Sequence, residues 1–204
     1  MKKGTIITLA VVVILLILCG TGCNRYNAMV EAEQDVEQAW GNVQTSYQRR
    51  SDLIPNLVNT VKGYATHEST TLENVTNARA GLLSASATAD SLANAQPSAD
   101  EASMKRFAQA QQRLNSALNV YVNAVHEAYP DLKANENFMN LQTQLEGTEN
   151  RISTERRRYN EVVRPYNTMI RRFPNNIFAS MFGFDKKPYY EADENAQQAP
   201  QVQF

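Results

Sequence analysis

Between Phe138 and Met169 the core-type positions recur at gaps that alternate three and four: Phe138, Leu141, Leu145, Thr148, Ile152, Glu155, Tyr159, Val162, Tyr166 and Met169. A residue every 3.5 positions keeps one seam of a helix turned toward a partner helix, whereas a strand needs alternation at every second position. Thr148 and Glu155 interrupt the apolar character of the seam, so it suits a packed bundle rather than a free-standing zipper. Three less regular runs precede it. One steps from Tyr26 to Tyr47, the next from Leu53 through Tyr64 to Leu82, and the third from Phe107 through Tyr121 to Tyr129. No alternating strand pattern occurs in the chain. The expected fold class is all-α, an antiparallel bundle of about four long helices.

Local chemistry sets the expected boundaries. Ser51 or Asp52 can cap the second helix, with Pro55 in its first turn, where a missing N–H costs nothing. Residues 84–100, SASATADSLANAQPSAD, read as a loop or a partly helical connection that closes on Pro97 and a capping box from Ser98 to Glu101. Pro130 marks the turn into the fourth helix, and Pro165 should kink or end that helix. Gly41, Gly63 and Gly147 fall inside helical patterns, where close helix approach would offset their cost. After Phe173-Pro174 the helical pattern stops, and residues 185–204 read as a disordered tail. Three parts result: an N-terminal membrane anchor or signal segment (1–23), a helical bundle (24–184) and the tail (185–204).

The first part carries Lys2 and Lys3, then an uncharged run from Gly4 to Cys23. That is about the length of a spanning helix, although its apolar heart, Ile6 to Cys19, is nearer the size of a signal-peptide core. Lysines before such a segment stay cytoplasmic, so the bundle is expected outside. Thr21-Gly22-Cys23 also ends like a lipobox, with Gly20 where an aliphatic residue is usual. Three readings stand: an uncleaved single-pass anchor, a lipoprotein lipidated on Cys23, and a cleaved, secreted domain. The first two tether the bundle to a membrane.

Charge narrows the partners. The 204 residues hold 20 basic and 21 acidic side chains. Beyond residue 23 the count is 18 against 21, because Lys2 and Lys3 are the only charges before it. A net negative bundle gives no reason to expect nucleic acid. The two cysteines, Cys19 and Cys23, both close the N-terminal run, so neither a disulfide framework nor a thiolate zinc site is expected in the bundle.

No motif points to catalysis or to a cofactor. His67-Glu68 lacks the second histidine of a zinc protease motif, since position 71 is Thr. His126 lies on another helix. Glu146, Glu149 and Glu155 share a helix with Arg151 and the Arg156–Arg158 triplet, an arrangement of solvated ion pairs in which the triplet mostly faces outward. A di-metal carboxylate site would need Glu three residues before each histidine, where Tyr64 and Asn123 stand. The segment 173–184, FPNNIFASMFGF, is different. Its apolar residues need burial or an interface, and Phe178, Met181, Phe182 and Phe184 are the candidate contacts to a protein partner or to lipid.

Three stretches resemble the LemA family: YNAMVEAEQDVEQAWGNVQTSYQRRSDLIPNLVNTVKGYATHE, AYPDLKANENFMNLQTQLEGTENRISTERRRYN and IRRFPNNIFASMFGF. Together they span about residues 26–184 in the family's order. The resemblance implies a bacterial membrane-anchored helical bundle and supplies no catalytic residues. It also implies that Trp40, Arg49, Arg50, Pro55, Asn56, Tyr64, His67, Glu68, Arg79 and Tyr159 belong to family motifs. Trp40, Tyr64 and Tyr159 lie on seams, which leaves the arginines to pair with carboxylates such as Glu68 or Glu155. The expected function is a non-enzymatic scaffold or adaptor of the cell envelope, without cofactor, contacting the bilayer and a protein partner or further copies of itself. The rivals are an accessory subunit of a membrane protease or envelope stress system, and a self-assembling, membrane-shaping protein.

Overall fold

A computed structural model describes residues 3–65, 73–94 and 101–191, with the side chains of 3–11, 13–19 and 21 outside that description. Among the described residues there are helices and no strand: α1 (Lys3–Ala65), α2 (Glu73–Asn94), α3 (Glu101–Ala128), a 3-10 turn (Pro130–Ala134), α4 (Glu136–Arg171) and α5 (Asn175–Phe182). The long helices pack as a bundle, α1 along α4 and α2 along α3. The α1–α4 pair is antiparallel: Arg50 meets Glu149, Tyr47 meets Arg156 and Trp40 meets Tyr159. Among the described residues no helix is long and apolar enough to cross a membrane. The anchor expected over 1–23 falls mostly on side chains outside the description.

Two cores follow one another along the bundle. The distal core joins Ile54, Leu57 and Val61 of α1 to Leu82 of α2, Leu114 and Tyr121 of α3, and Phe138 of α4. The proximal core joins Met29, Val36, Trp40 and Tyr47 of α1 to Phe107 of α3, and to Ile152, Tyr159, Val163 and Tyr166 of α4. Nearest the N-terminus α5 and the chain after it complete that core, through Ala179, Phe184 and Tyr190.

Several boundaries differ from expectation. There is no helix break at Ser51: α1 runs through Pro55, and Ser51 is buried rather than capping. An interior proline costs about 3 kcal/mol. The buried stripe Tyr47, Ile54, Leu57, Val58 and Val61 continues on both sides, and its burial holds the helix together. Pro165 is likewise inside α4, which ends only at Arg171. Residues 84–94, read as a loop or a partly helical connection, form the last half of α2. Alanine is the best helix former, and Ser86 and Ala89 pack into the bundle. The capping box at Ser98 lies outside the described residues. The entry to α4 is as expected: Pro130 opens the 3-10 turn, and the Asn135 side chain caps α4 by accepting from the Phe138 amide at 3.2 Å. A Cβ at Gly41, Gly63 or Gly147 would meet nothing within 4 Å, so these glycines make no close helix contact.

The tail expectation needs the largest correction. Residues 185–191 form an extended strap along α4. Asn160 grips Tyr190 through both backbone groups, at 2.9 and 2.8 Å, and Asn167 grips Lys187 at 2.8 and 3.0 Å. Tyr159 and Tyr166 donate their hydroxyls to the carbonyls of Pro188 and Asp185, each at 3.0 Å. The spacings match. Seven helical residues rise about 10.5 Å, and three extended residues span about 10 Å. Pairs seven apart on α4 therefore meet groups three apart on the strap. Lys187 adds an ion pair to Glu33 of α1 at 2.7 Å. Residues 192–204 lie outside the described set.

Candidate functional site

The proximal end of the bundle gathers most of the residues that sequence reasoning singled out. There α5 crosses α1 just where the uncharged N-terminal run ends. The Phe178 ring lies close on Gly22, where a Cβ would sit 3.3 Å from Phe178 Cε1 and would press the ring back by a few tenths of an ångström. One turn on, Tyr26 meets Phe182 and Phe184 edge-on, with centroids 5.0 and 5.6 Å apart. Gly183, at φ 78°, turns the chain out of α5, and only glycine takes that conformation freely.

These contacts divide the four candidate residues. Phe184 is buried and closes the proximal core, which corrects its reading as an external contact. Phe178 is half-buried against the same core. Phe182 is shared between Tyr26 and solvent, and Met181 faces outward, 63% exposed. Ile177, one turn before Met181, shares its side at 57% exposure, and Phe173, just ahead of α5, is 81% exposed. A short helix lying on a bundle ordinarily turns polar residues outward. Here α5 carries apolar residues on both sides.

Beside this face is a cleft of about 570 Å³ lined by Arg25, Arg164 and Arg172 with Thr168, Phe173 and Asn175. Among the described residues no carboxylate pairs with any of the three arginines. Asn175 is buried at the cleft wall. Its Nδ2 donates to the Met169 carbonyl at 3.2 Å and its Oδ1 has no partner among the described residues. The sequence reading missed the arginines because Arg25 is far from Arg164 in the chain, and only the antiparallel pairing of α1 and α4 joins them. The run Arg171-Arg172-Phe173 was the available signal. Cys23, the candidate for lipidation, is exposed on α1 beside this end.

The other polar candidates serve the fold. Arg50 is buried and donates to Glu149 and to both the carbonyl and Oε1 of Gln111, the latter two at 3.2 and 2.6 Å. Of its expected partners, Glu155 pairs with Arg158 instead, and Glu68, like His67, lies outside the described residues. Arg156 turns inward, against the expectation for the triplet. It stacks on Tyr190 at 4.4 Å and donates to the Tyr47 hydroxyl, which is 2.8 Å from that of Tyr190. Burial pushes the Tyr47 hydroxyl well above the usual phenol range, and Tyr190 adds to the shift. His126 lies 3.2 Å from the Gln142 amide and edge-on to Phe138. Burial, then Lys133, lowers its pKa. Among the described residues no group of three or more His, Cys, Asp or Glu side chains is placed to hold a metal ion.

Comparison with known proteins agrees with the motifs. The chain is 26% identical over 201 residues to magnetosome protein MamQ 2 of Paramagnetospirillum magneticum, covering 93% of this chain and 74% of that one. It is 25% identical over 176 residues to magnetosome protein MamQ of Magnetospirillum gryphiswaldense, covering 81% and 64%. Against protein LemA of Metamycoplasma hominis the identity is 23% over 170 residues, covering 83% and 70%. The model of the LemA family matches residues 39–204, a stretch that includes the strap and continues past the expected end at 184. The chain belongs to the LemA family.

Proposed function

We propose that this LemA-family protein is a membrane-tethered helical scaffold or adaptor of the bacterial cell envelope, with no catalytic activity of its own. The observation that carries the reading is the continuity of α1. One unbroken helix joins the uncharged run at Gly4–Cys23 to both cores of the bundle. Whatever holds that run thereby fixes the direction of a rod about 60 Å long, at 1.5 Å per residue from Cys23 to Ala65. In this reading the run crosses the bilayer once, Lys2 and Lys3 stay cytoplasmic, and the bundle stands outside. Attachment through a lipidated Cys23 is the alternative tether. Relatives named as magnetosome proteins support a membrane-associated place for this chain.

Washing membranes with high salt and with alkaline carbonate tests the tether, and the intact mass of the extracted protein reports on Cys23. Full retention is expected, and release by either wash overturns the tether. Photo-cross-linkers at Val120 and Met139, exposed on the bundle, test the adaptor role. One partner captured at fixed positions is the expected result. Capture of this chain alone would replace the adaptor with a self-assembling scaffold. Truncation after Arg172 is a poor probe, because it strips Phe184 and Tyr190 from the proximal core.

A further inference from the structure

We infer that the proximal end of the bundle is an anionic-lipid binding surface, in which α5 enters the bilayer interface and the Arg25–Arg164–Arg172 cleft receives lipid phosphates. The inference rests on the tethered reading for its geometry. The Phe178–Gly22 and Phe182–Tyr26 contacts hold α5 at the first residues beyond the uncharged run. If that run crosses the bilayer, α5 lies at headgroup depth.

Three observations favour lipid over a protein partner. Ile177 and Met181 stand one turn apart on the outer side of α5, with exposed Phe173 just ahead of the helix, a narrow apolar ridge suited to the headgroup–acyl boundary. The three arginines lie beside that ridge without carboxylate partners, where phosphodiesters would be level with them when the ridge is inserted. The bundle as a whole has excess negative charge, 21 acidic against 18 basic residues beyond residue 23, so the positive cleft runs against the general balance. A guanidinium fork matches a phosphate by paired hydrogen bonds. Each basic residue near an anionic surface adds roughly a fivefold gain in partitioning, so three give on the order of 100-fold.

The test places the full chain, carrying Phe173→Trp, in vesicles of phosphatidylcholine or phosphatidylglycerol with brominated acyl tails. Trp40 is buried, and the parent chain supplies its background. The expected result is strong quenching of the introduced indole in phosphatidylglycerol and weak quenching in phosphatidylcholine. Added salt and the variant R25Q/R164Q/R172Q should both reduce it, with the Tm of that variant unchanged because all three arginines are exposed. Excess glycerol phosphate should compete poorly, whereas full competition would mark a soluble-anion site and overturn the lipid assignment. Equal quenching in both lipids, or none in a chain that floats with vesicles, overturns the inference and leaves the tether standing. A chain that floats with neither lipid overturns both. Flotation with phosphatidylglycerol alone, abolished by R25Q/R164Q/R172Q, overturns the tether and with it the placing of α5 at headgroup depth.

Discussion

Arg50 lies inside the bundle because α1 carries it between α3 and α4, where Gln111 and Glu149 supply three acceptors. Its guanidinium also lies over the Tyr47 ring, 5.1 Å from the centroid. The two ends of the ion pair are unequal: Arg50 is 2% exposed, while the Glu149 side chain is 39% exposed. Removing Glu149 strands a buried cation, whereas removing Arg50 leaves a carboxylate that water can reach. Glu149→Ala should therefore cost about 3 kcal/mol. Arg50→Met keeps the volume, leaves Gln111 without its donor and should cost about 1–2 kcal/mol. Urea unfolding of both variants checks the order, and a costlier Arg50→Met would show that packing on Tyr47 outweighs charge. In the sequence Arg50 stood out as a family-motif residue that no seam explained. Its partner was beyond reach, since Glu146, Glu149 and Glu155 share the fourth helix and only the register of α1 against α4 selects Glu149.

At the scale of elements, the seam of α4 was legible and its interruptions were not. The three-and-four spacing places Phe138, Leu145, Thr148, Ile152, Tyr159 and Tyr166 in the cores. Beyond Tyr159 the buried side widens to include Val163 and Ile170, because α5 and the strap cover a second face. Asn160 and Asn167 gave a faint signal, two amides seven apart beside a seam, but helical periodicity does not predict an extended partner. Asn160→Ala combined with Asn167→Ala removes the four hydrogen bonds to Tyr190 and Lys187 and should free the strap while the helices persist. Faster tryptic cleavage after Lys186 with unchanged helical circular dichroism is the expected outcome. Proline was misleading for a related reason: Pro55 has the same local chemistry in a first turn as in an interior, and only burial on both sides separates the two. Pro55→Ala restores an N–H in reach of the Ser51 carbonyl and should stabilise the protein by about 1–3 kcal/mol. No gain in thermal or urea stability would mean that a helix starts there after all.

Over the whole molecule, burial of tyrosine hydroxyls links the two cores to alkaline pH. Burial pushes the hydroxyls of Tyr47, Tyr159 and Tyr166 upward in the proximal core, and that of Tyr121 in the distal core to about 12. At Tyr166 the carboxylates of Glu33, Asp185 and Glu37 add to the shift. An unfolded phenol ionises at pH ~10. Above that pH the unfolded chain has lost protons that the folded chain still holds, so stability falls as pH rises. The loss is at most about 1.4 kcal/mol per tyrosine per pH unit, and for Tyr121 it is complete near pH 12. Tyr159 and Tyr166 also commit their protons to the strap carbonyls, so ionisation there deletes the donors that hold residues 185–191. Tyr121 carries the smaller shift, so titration gives the strap no earlier release than the distal core, and the two should open together. Absorbance at about 295 nm should show fewer than the nine tyrosines of the chain titrating near pH 10, with the rest ionising only as circular dichroism reports unfolding. Tryptic cleavage after Lys186 should rise with that global transition. Nine tyrosines ionising together near pH 10 in a folded protein would mean that water reaches the proximal core, and the strap would then not be its cover.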